Sequence, residues 1–162
     1  MNEPLIRLSR PTDINTLVAL DIKTYNYPLS IENWQALVNG SGRSREPRVV
    51  VMELARKPVG FAMWQHINDQ IVKFLRLGIL PHYRRKGLAR ILIDSCVQDA
   101  RRQKANKIQI SVPELHCIPD DPDNVVGFLN KVGFNPTGEV INNYGIMYGE
   151  SVDAYVFERS VF

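Results

Sequence analysis

The stretch "FLRLGILPHYRRKGLARILI", residues 74–93, decides how this chain folds. Its first part reads as a β-strand that stops at Pro81, and its second part reads as the opening of an amphipathic helix. Between them Arg84, Arg85, Lys86 and Arg90 fall within seven residues, wrapped around Gly87. The first amides of a helix have no partner inside it, and the dipole's positive end lies behind them. A turn of this kind holds phosphate oxygens through main-chain N–H groups. Gly87 removes the Cβ that would keep an anion from the backbone, and Ala89 keeps the next position small. The side chains of Arg84, Arg85 and Arg90 add charge at the rim. Neither the G-x-x-x-x-G-K-[ST] loop nor a G-x-G-x-x-G fingerprint is present. What stands here is R-x-x-G-x-A, spanning Arg84 to Ala89.

The composition narrows the partner. The chain has 162 residues with 20 basic and 17 acidic side chains, a net charge of +3. That balance argues against broad, charge-driven nucleic-acid binding, so the basic turn should meet one compact anion. Hydrophobic residues at 44% and charged residues at 23% are ordinary globular values. The length fits one domain, 1–162, with a real core. Cys96 and Cys117 show no metal or redox spacing, and two free thiols in a reducing compartment are expected. No apolar run reaches the ~18 residues that a bilayer requires, and "MNEPLIRLSR" is no signal peptide. A soluble, cytoplasmic protein without a metal is therefore expected.

Outward from the central stretch, the pattern gives a strand in "PLIRLSR" and then a helix capped by Thr12 or Asp13. Ile14, Leu17, Val18, Leu20 and Asp21 mark the turns of that helix. Pro28 interrupts it by forcing Tyr27 out of helical geometry. Ser30 caps a second helix, Ile31 to Val38, followed by the loop "GSGRSREP". "RVVVMELA" and "VGFAMWQHI" form a hairpin, and "QIVKFLRLGIL" follows as a third strand of the run. From Leu88 to Lys104, Ala89, Leu92, Ile93, Cys96, Val97 and Ala100 line one helical face. "KIQISV" is a strand, "LHCIPDDPD" a loop and "NVVGFLNKV" a helix ended by Gly133. "FNPTGEVIN" and "SVDAYVFERSV" are strands joined by "NYGIMYGE". The order β-α-α-β-β-β-α-β-α-β-β predicts an α/β (α+β) fold built on one mixed sheet with helices on its faces.

The R-x-x-G-x-A turn, with a strand before it and a helix after it, resembles the pyrophosphate-binding motif of the GNAT superfamily of N-acetyltransferases. The order of elements over nearly the whole chain is the superfamily's as well. The resemblance implies a mostly antiparallel sheet of about seven strands, splayed between the fourth and fifth. It implies acetyl-CoA as donor and CoA as product, with pantetheine in the splay and pyrophosphate on Arg84, Arg85, Lys86, Gly87, Leu88, Ala89 and Arg90. Leu77, Gly78 and Ile79 would line the arm, with a bulge at Gly78 exposing main-chain groups. The amide of Ile79 or a neighbour would then donate to the thioester carbonyl.

"YNYPLSIENW" and "NYGIMYGESVDAYVFE" look like the two acceptor loops of N-terminal protein acetyltransferases, and "VPE…FLNKVGF" resembles the ribosomal-protein-alanine branch. Carried over, Tyr27, Pro28 and Tyr144 line a peptide groove, although Tyr144 and Tyr148 also read as hairpin surface. The chain departs from the pattern where the relatives place their acidic Tyr, because Leu129 stands there. Ser111 stands where the alanine branch has a Glu, which leaves Glu114 or His116 as base. Asn124 is the nearest match to the Asn that contacts the cofactor, or else a helix cap. The expected acceptor is a protein N-terminus; a small-molecule amine, or a non-catalytic acyl-CoA-binding module, are the alternatives. Nucleic acid and membrane are not expected as partners, and the sequence is compatible with a monomer or a homodimer.

Overall fold

Valine and other β-formers crowd the middle of the chain, and there they make the sheet's core. The computed structural model describes residues 3–25, 28–119, 124–147 and 149–162. Strands β1 (Leu5–Leu8), β2 (Arg48–Leu54), β3 (Lys57–His66), β4 (Ile71–Ile79), β5 (Lys107–Pro113), β6 (Asn135–Met147) and β7 (Glu150–Ser160) form one seven-stranded sheet. Their order is β1-β2-β3-β4-β5-β7-β6, and only the β4–β5 pair is parallel. A parallel pair needs a crossover, and α3 (Leu88–Arg102) supplies it.

Helices α1 (Ile14–Thr24) and α2 (Ile31–Gly40) cover one face of the sheet. Leu17, Leu20, Trp34 and Val38 pack there on Val49, Val51, Phe61 and Met63. Helices α3 and α4 (Val126–Lys131) cover the other face. Leu92, Ile93, Cys96 and Ala100 meet Val50, Ala62, Val72 and Ile108, and Leu129 joins them. The alternation of the strands explains both layers, since successive side chains point to opposite faces. No helix among the described residues is long and apolar enough to cross a membrane. Both cysteines are free thiols.

Several elements differ from the sequence reading. Asp13 stands at the N-cap of α1 but its side chain makes no cap bond to the helix; its carboxylate accepts the Arg10 N–H at 2.7 Å and holds the Arg7 guanidinium at 2.7 and 2.9 Å. Glu53 takes the same guanidinium from β2, so this triad ties β1 to α1. Ser30 caps α2 as expected, its Oγ accepting the Asn33 N–H at 3.1 Å. Helix α3 begins at Leu88, with Gly87 as its N-cap, rather than at Lys86. The widest departure is β6, which runs on to Met147. "NYGIM", expected in a connecting loop, belongs to an edge strand paired with β7, as Gly145 opposite Val152 and Ile146 opposite Ser151 show. Cross-strand pairing outweighed the local turn signal of Asn143 and Gly145.

Candidate active site

The sheet opens into a fork. β4 and β5 pair only from Ile71 opposite Lys107 to Phe74 opposite Ile110. Beyond that point the two strands continue without pairing to each other, as Leu75 to Ile79 on one arm and Ser111 to Pro113 on the other. The cause lies on the far side of β4. Arg76 faces Met63 and Phe74 faces Trp64, so Leu75 is one residue too many for β3. Such a bulge bends its strand and re-aims the residues after it.

The bulge therefore sits at Leu75 and not at Gly78, which pairs in register with Phe61. Gly78 answers a different need. A Cβ there would lie 2.5 Å from Phe61 Cε1 and 2.7 Å from Thr24 Oγ1, so only glycine lets α1 lie this close to β4.

Alternation along β4 sets which main-chain groups face the fork. Leu80 N–H donates to Val59 O at 2.9 Å, on the β3 side. Leu77 and Ile79, out of phase with it, turn their groups toward β5. There Leu77 N–H donates to Tyr25 Oη at 3.0 Å, and the same hydroxyl donates to Leu77 O at 2.5 Å. Ile79 O accepts Arg84 Nε at 2.9 Å. Arg84 thus braces the strand end, where the sequence placed it at the rim of the basic turn.

The basic turn itself is built for an anion. After the 3-10 turn Pro81–Tyr83, Arg85 takes φ +61 and Gly87 φ +80, and α3 starts at once. The first helical amide to find a carbonyl at Gly87 is that of Ile91, at 3.3 Å. The amides of Leu88, Ala89 and Arg90 come before it and lack a partner one turn back. Arg85, Lys86, Gly87 and Arg90 are exposed, Leu88 is buried, and a Cβ on Gly87 would meet nothing within 4 Å. That empty volume beside open amides suits a pyrophosphate. The residues fit the donor that the resemblance implies.

The other side of the fork is made of side chains from distant segments. Asp21, fully buried in α1, accepts Leu29 N–H at 2.8 Å and Trp34 Nε1–H at 3.1 Å through Oδ2. Its Oδ1 takes Arg76 from β4 at 3.0 and 2.7 Å. The Arg76 guanidinium lies 3.8 Å over the Tyr25 ring, whose hydroxyl sits on Leu77. Burial pushes the Tyr25 phenol above its ordinary value, against the pull of Leu77 and Arg76. Tyr144, on β6, is 43% exposed, and its phenol is also raised by burial while the charge of Arg76 pulls it down.

The remaining predicted residues divide. Ser111 Oγ is buried without a partner, on the fork arm of β5. Glu114 begins the 3-10 turn after β5, and its Oε1 accepts Asp153 N–H at 3.4 Å, across to β7. Asn124 Oδ1 accepts Val126 N–H at 2.9 Å in a local turn just before α4, whose N-cap is Val125. Leu129 is 2% exposed and packs in the core. Pro28 is exposed, and Tyr27 and Tyr148 lie outside the described residues. His116 accepts Val125 N–H through its main-chain oxygen, at 3.0 Å.

Tyr25 and Arg76 were not singled out from the sequence, and Asp21 was counted only as a helix marker. One signal was available. Asp21 shares the inward face of α1 with Leu17 and Leu20, and a buried carboxylate requires a cation.

The comparisons with known proteins agree with this geometry. The model of the "Acetyltransferase (GNAT) family" matches residues 14–134. The ribosomal-protein-S18-alanine N-acetyltransferase of Escherichia coli superposes with TM-score 0.78 at 16% identity, over 98% of this chain and 94% of that one. A spermidine N-acetyltransferase SpeG chimera of Vibrio cholerae and human sequence gives 0.79 at 21%, over 98% and 95%. The yncA protein of Salmonella typhimurium, solved with its cofactor acetyl-CoA, gives 0.75 at 15%, over 99% and 95%. No curated protein matches in sequence. Matched by the family model from α1 to the residue before β6, and carrying the forked sheet and the open helix start, this chain belongs to the GNAT family of acetyltransferases, which move an acetyl group from acetyl-CoA to an amine.

Proposed function

We propose that the acceptor is the α-amine of a protein or peptide N-terminus. The observation that carries this reading is the position of Tyr144. It stands on β6 where the register with β7 breaks between Ile141 and Gly145, partly exposed, and the charge of Arg76 reaches its phenol as it does that of Tyr25. Two aromatic walls from α1 and β6 then flank the open arm of β4, which suits an extended backbone. Pro28, exposed beyond Tyr25, would extend the first wall.

Acetyl-CoA, when bound, supplies the acetyl group and leaves as CoA. The chain's residues hold the rest in place. Arg85, Lys86 and Arg90, with the amides from Gly87 to Arg90, take the pyrophosphate. Leu77, Gly78 and Ile79 line the pantetheine arm, and the Leu77 N–H holds negative charge that develops on the acyl oxygen. An α-amine with pKa near ~7.7 is partly neutral at pH 7, so its base has one proton to accept, directly or through water. Glu114 takes that role, with Ser111 beside it on the same arm. Position 129 offers no acid, so the thiolate departs without a side-chain donor from α4. Asn124, in the turn before α4, is the remaining residue assigned to the cofactor.

The test compares Tyr144→Ala and Tyr144→Phe on one peptide and one polyamine. The KM for the peptide should rise about tenfold in Tyr144→Ala while that for acetyl-CoA holds, the kinetic form of lost uniform binding. A polyamine that outperforms the peptide, with peptide turnover indifferent to Tyr144, would replace this acceptor by a small amine.

A further inference from the structure

The fork leaves β4 with a problem that the chain solves internally. Leu77 presents an N–H and a C=O to a gap where no strand pairs, and buried main-chain groups without partners are costly. A phenol is both donor and acceptor, and Tyr25 Oη meets both groups at 3.0 and 2.5 Å. In this it stands in for the next strand, or for a ligand amide lying in the gap. The phenol is held there from two sides. Arg76 stacks on its ring at 3.8 Å and is itself fixed by buried Asp21, and Phe61 lies 6.4 Å away at a tilt of 49°. Position 25 immediately follows α1 in extended geometry, so small backbone changes there can withdraw the hydroxyl without unfolding the helix.

We infer that Tyr25 is a positioning residue that occupies the acyl-carbonyl subsite of the free protein and gives it up when acetyl-CoA binds. The inference rests on the assignment of Leu77 to the donor arm. An N–H has one hydrogen to donate, so an acyl oxygen on Leu77 must replace the phenol oxygen as acceptor. CoA has no acyl oxygen and can fill the basic turn and the lower arm with Tyr25 in place. The displaced hydroxyl stays protonated and lies on the acceptor side, between Arg76 and Tyr144. The hydroxyl thus couples two events: the site opens toward the amine only when the thioester, and not the free thiol, is bound.

Two measurements test this, both on the complete chain. Fluorotyrosine placed at position 25 alone should show a fluorine resonance that moves with saturating acetyl-CoA and stays with saturating CoA. Calorimetry on Tyr25→Phe should show the affinity for acetyl-CoA, taken relative to CoA, rising about fivefold, the equivalent of one ordinary hydrogen bond no longer displaced. A resonance that responds alike to both ligands, or a ratio that stays or falls in Tyr25→Phe, overturns the inference and leaves the donor assignment standing. A native chain that binds neither ligand removes both.

Discussion

The two sides of the fork are made from different material. The side proposed for the donor is main chain: a helix start, a left-handed glycine and a strand arm, contiguous from Leu77 to Arg90 and largely exposed at the turn. The side proposed for the acceptor is side chain: Asp21 and Tyr25 from α1 and its end and Arg76 from β4 meet around one buried carboxylate, with Tyr144 of β6 within reach of the charge of Arg76. Main-chain chemistry tolerates almost any neighbouring side chain, so it survives when the substrate changes. Side-chain chemistry is rebuilt for each acceptor. The solved structures under 25% identical share the fold with this chain, and a shared fold does not settle the acceptor.

The sharpest way to break the comparison is to remove the carboxylate. Asp21→Ala takes the buried carboxylate from the Arg76 guanidinium and orphans Leu29 N–H and Trp34 Nε1–H. Breaking one half of a buried pair costs about 3–5 kcal/mol. Thermal unfolding should show that loss, whereas CoA binding measured well below the new Tm should be close to native. If CoA binding collapses as well, the two sides are one cooperative unit and the contrast drawn here is false.

On the donor side the corresponding change is Gly87→Val. The backbone takes φ +80 there, which a β-branched residue resists, and the space above it is open where the pyrophosphate is proposed to lie. CoA affinity should fall about 100-fold through lost access to the helix amides, with stability lowered by about 1–2 kcal/mol. Unchanged affinity in isothermal titration would remove the phosphate site from this turn.

These contrasts also explain what could be read from the sequence. The donor side was legible because a strand, a turn and a helix in series put their function at consecutive residues, and Gly87 marks it. The acceptor side was not, since no spacing rule links residue 21 to residue 76 or residue 25 to residue 77. The bulge was misplaced for a related reason. Gly78 invites a bulge by composition, but the extra residue is Leu75, which only the pairing partner reveals. Likewise β6 reaches Met147 through its ladder with β7, against its own turn residues. Gly78→Ala separates the two explanations of that glycine. A Cβ at 2.5 Å from Phe61 forces α1 or Phe61 to move, at about 1–3 kcal/mol by overpacking. A tolerant Gly78→Ala would return the position to a backbone role.

The smallest expected effect is one of pH. Both phenols on the acceptor side have folded pKa values raised above 10.0, first by burial. An unfolded chain therefore releases these protons earlier than the folded one as pH rises. The native state holds more protons in that window, so stability falls with pH above the ordinary phenol value and continues to fall until the folded pKa is passed. For a single phenol the slope is at most about 1.4 kcal/mol per pH unit. Buried Cys96, raised in the same direction, adds a similar slope above the ordinary thiol value of about 9.0. The difference between native protein and Tyr25→Phe isolates the phenol. Denaturant unfolding at a series of alkaline pH values should show the native chain losing stability faster than Tyr25→Phe. Parallel curves would mean that Tyr25 titrates alike in both states, and that its hydroxyl meets water rather than the main chain of β4.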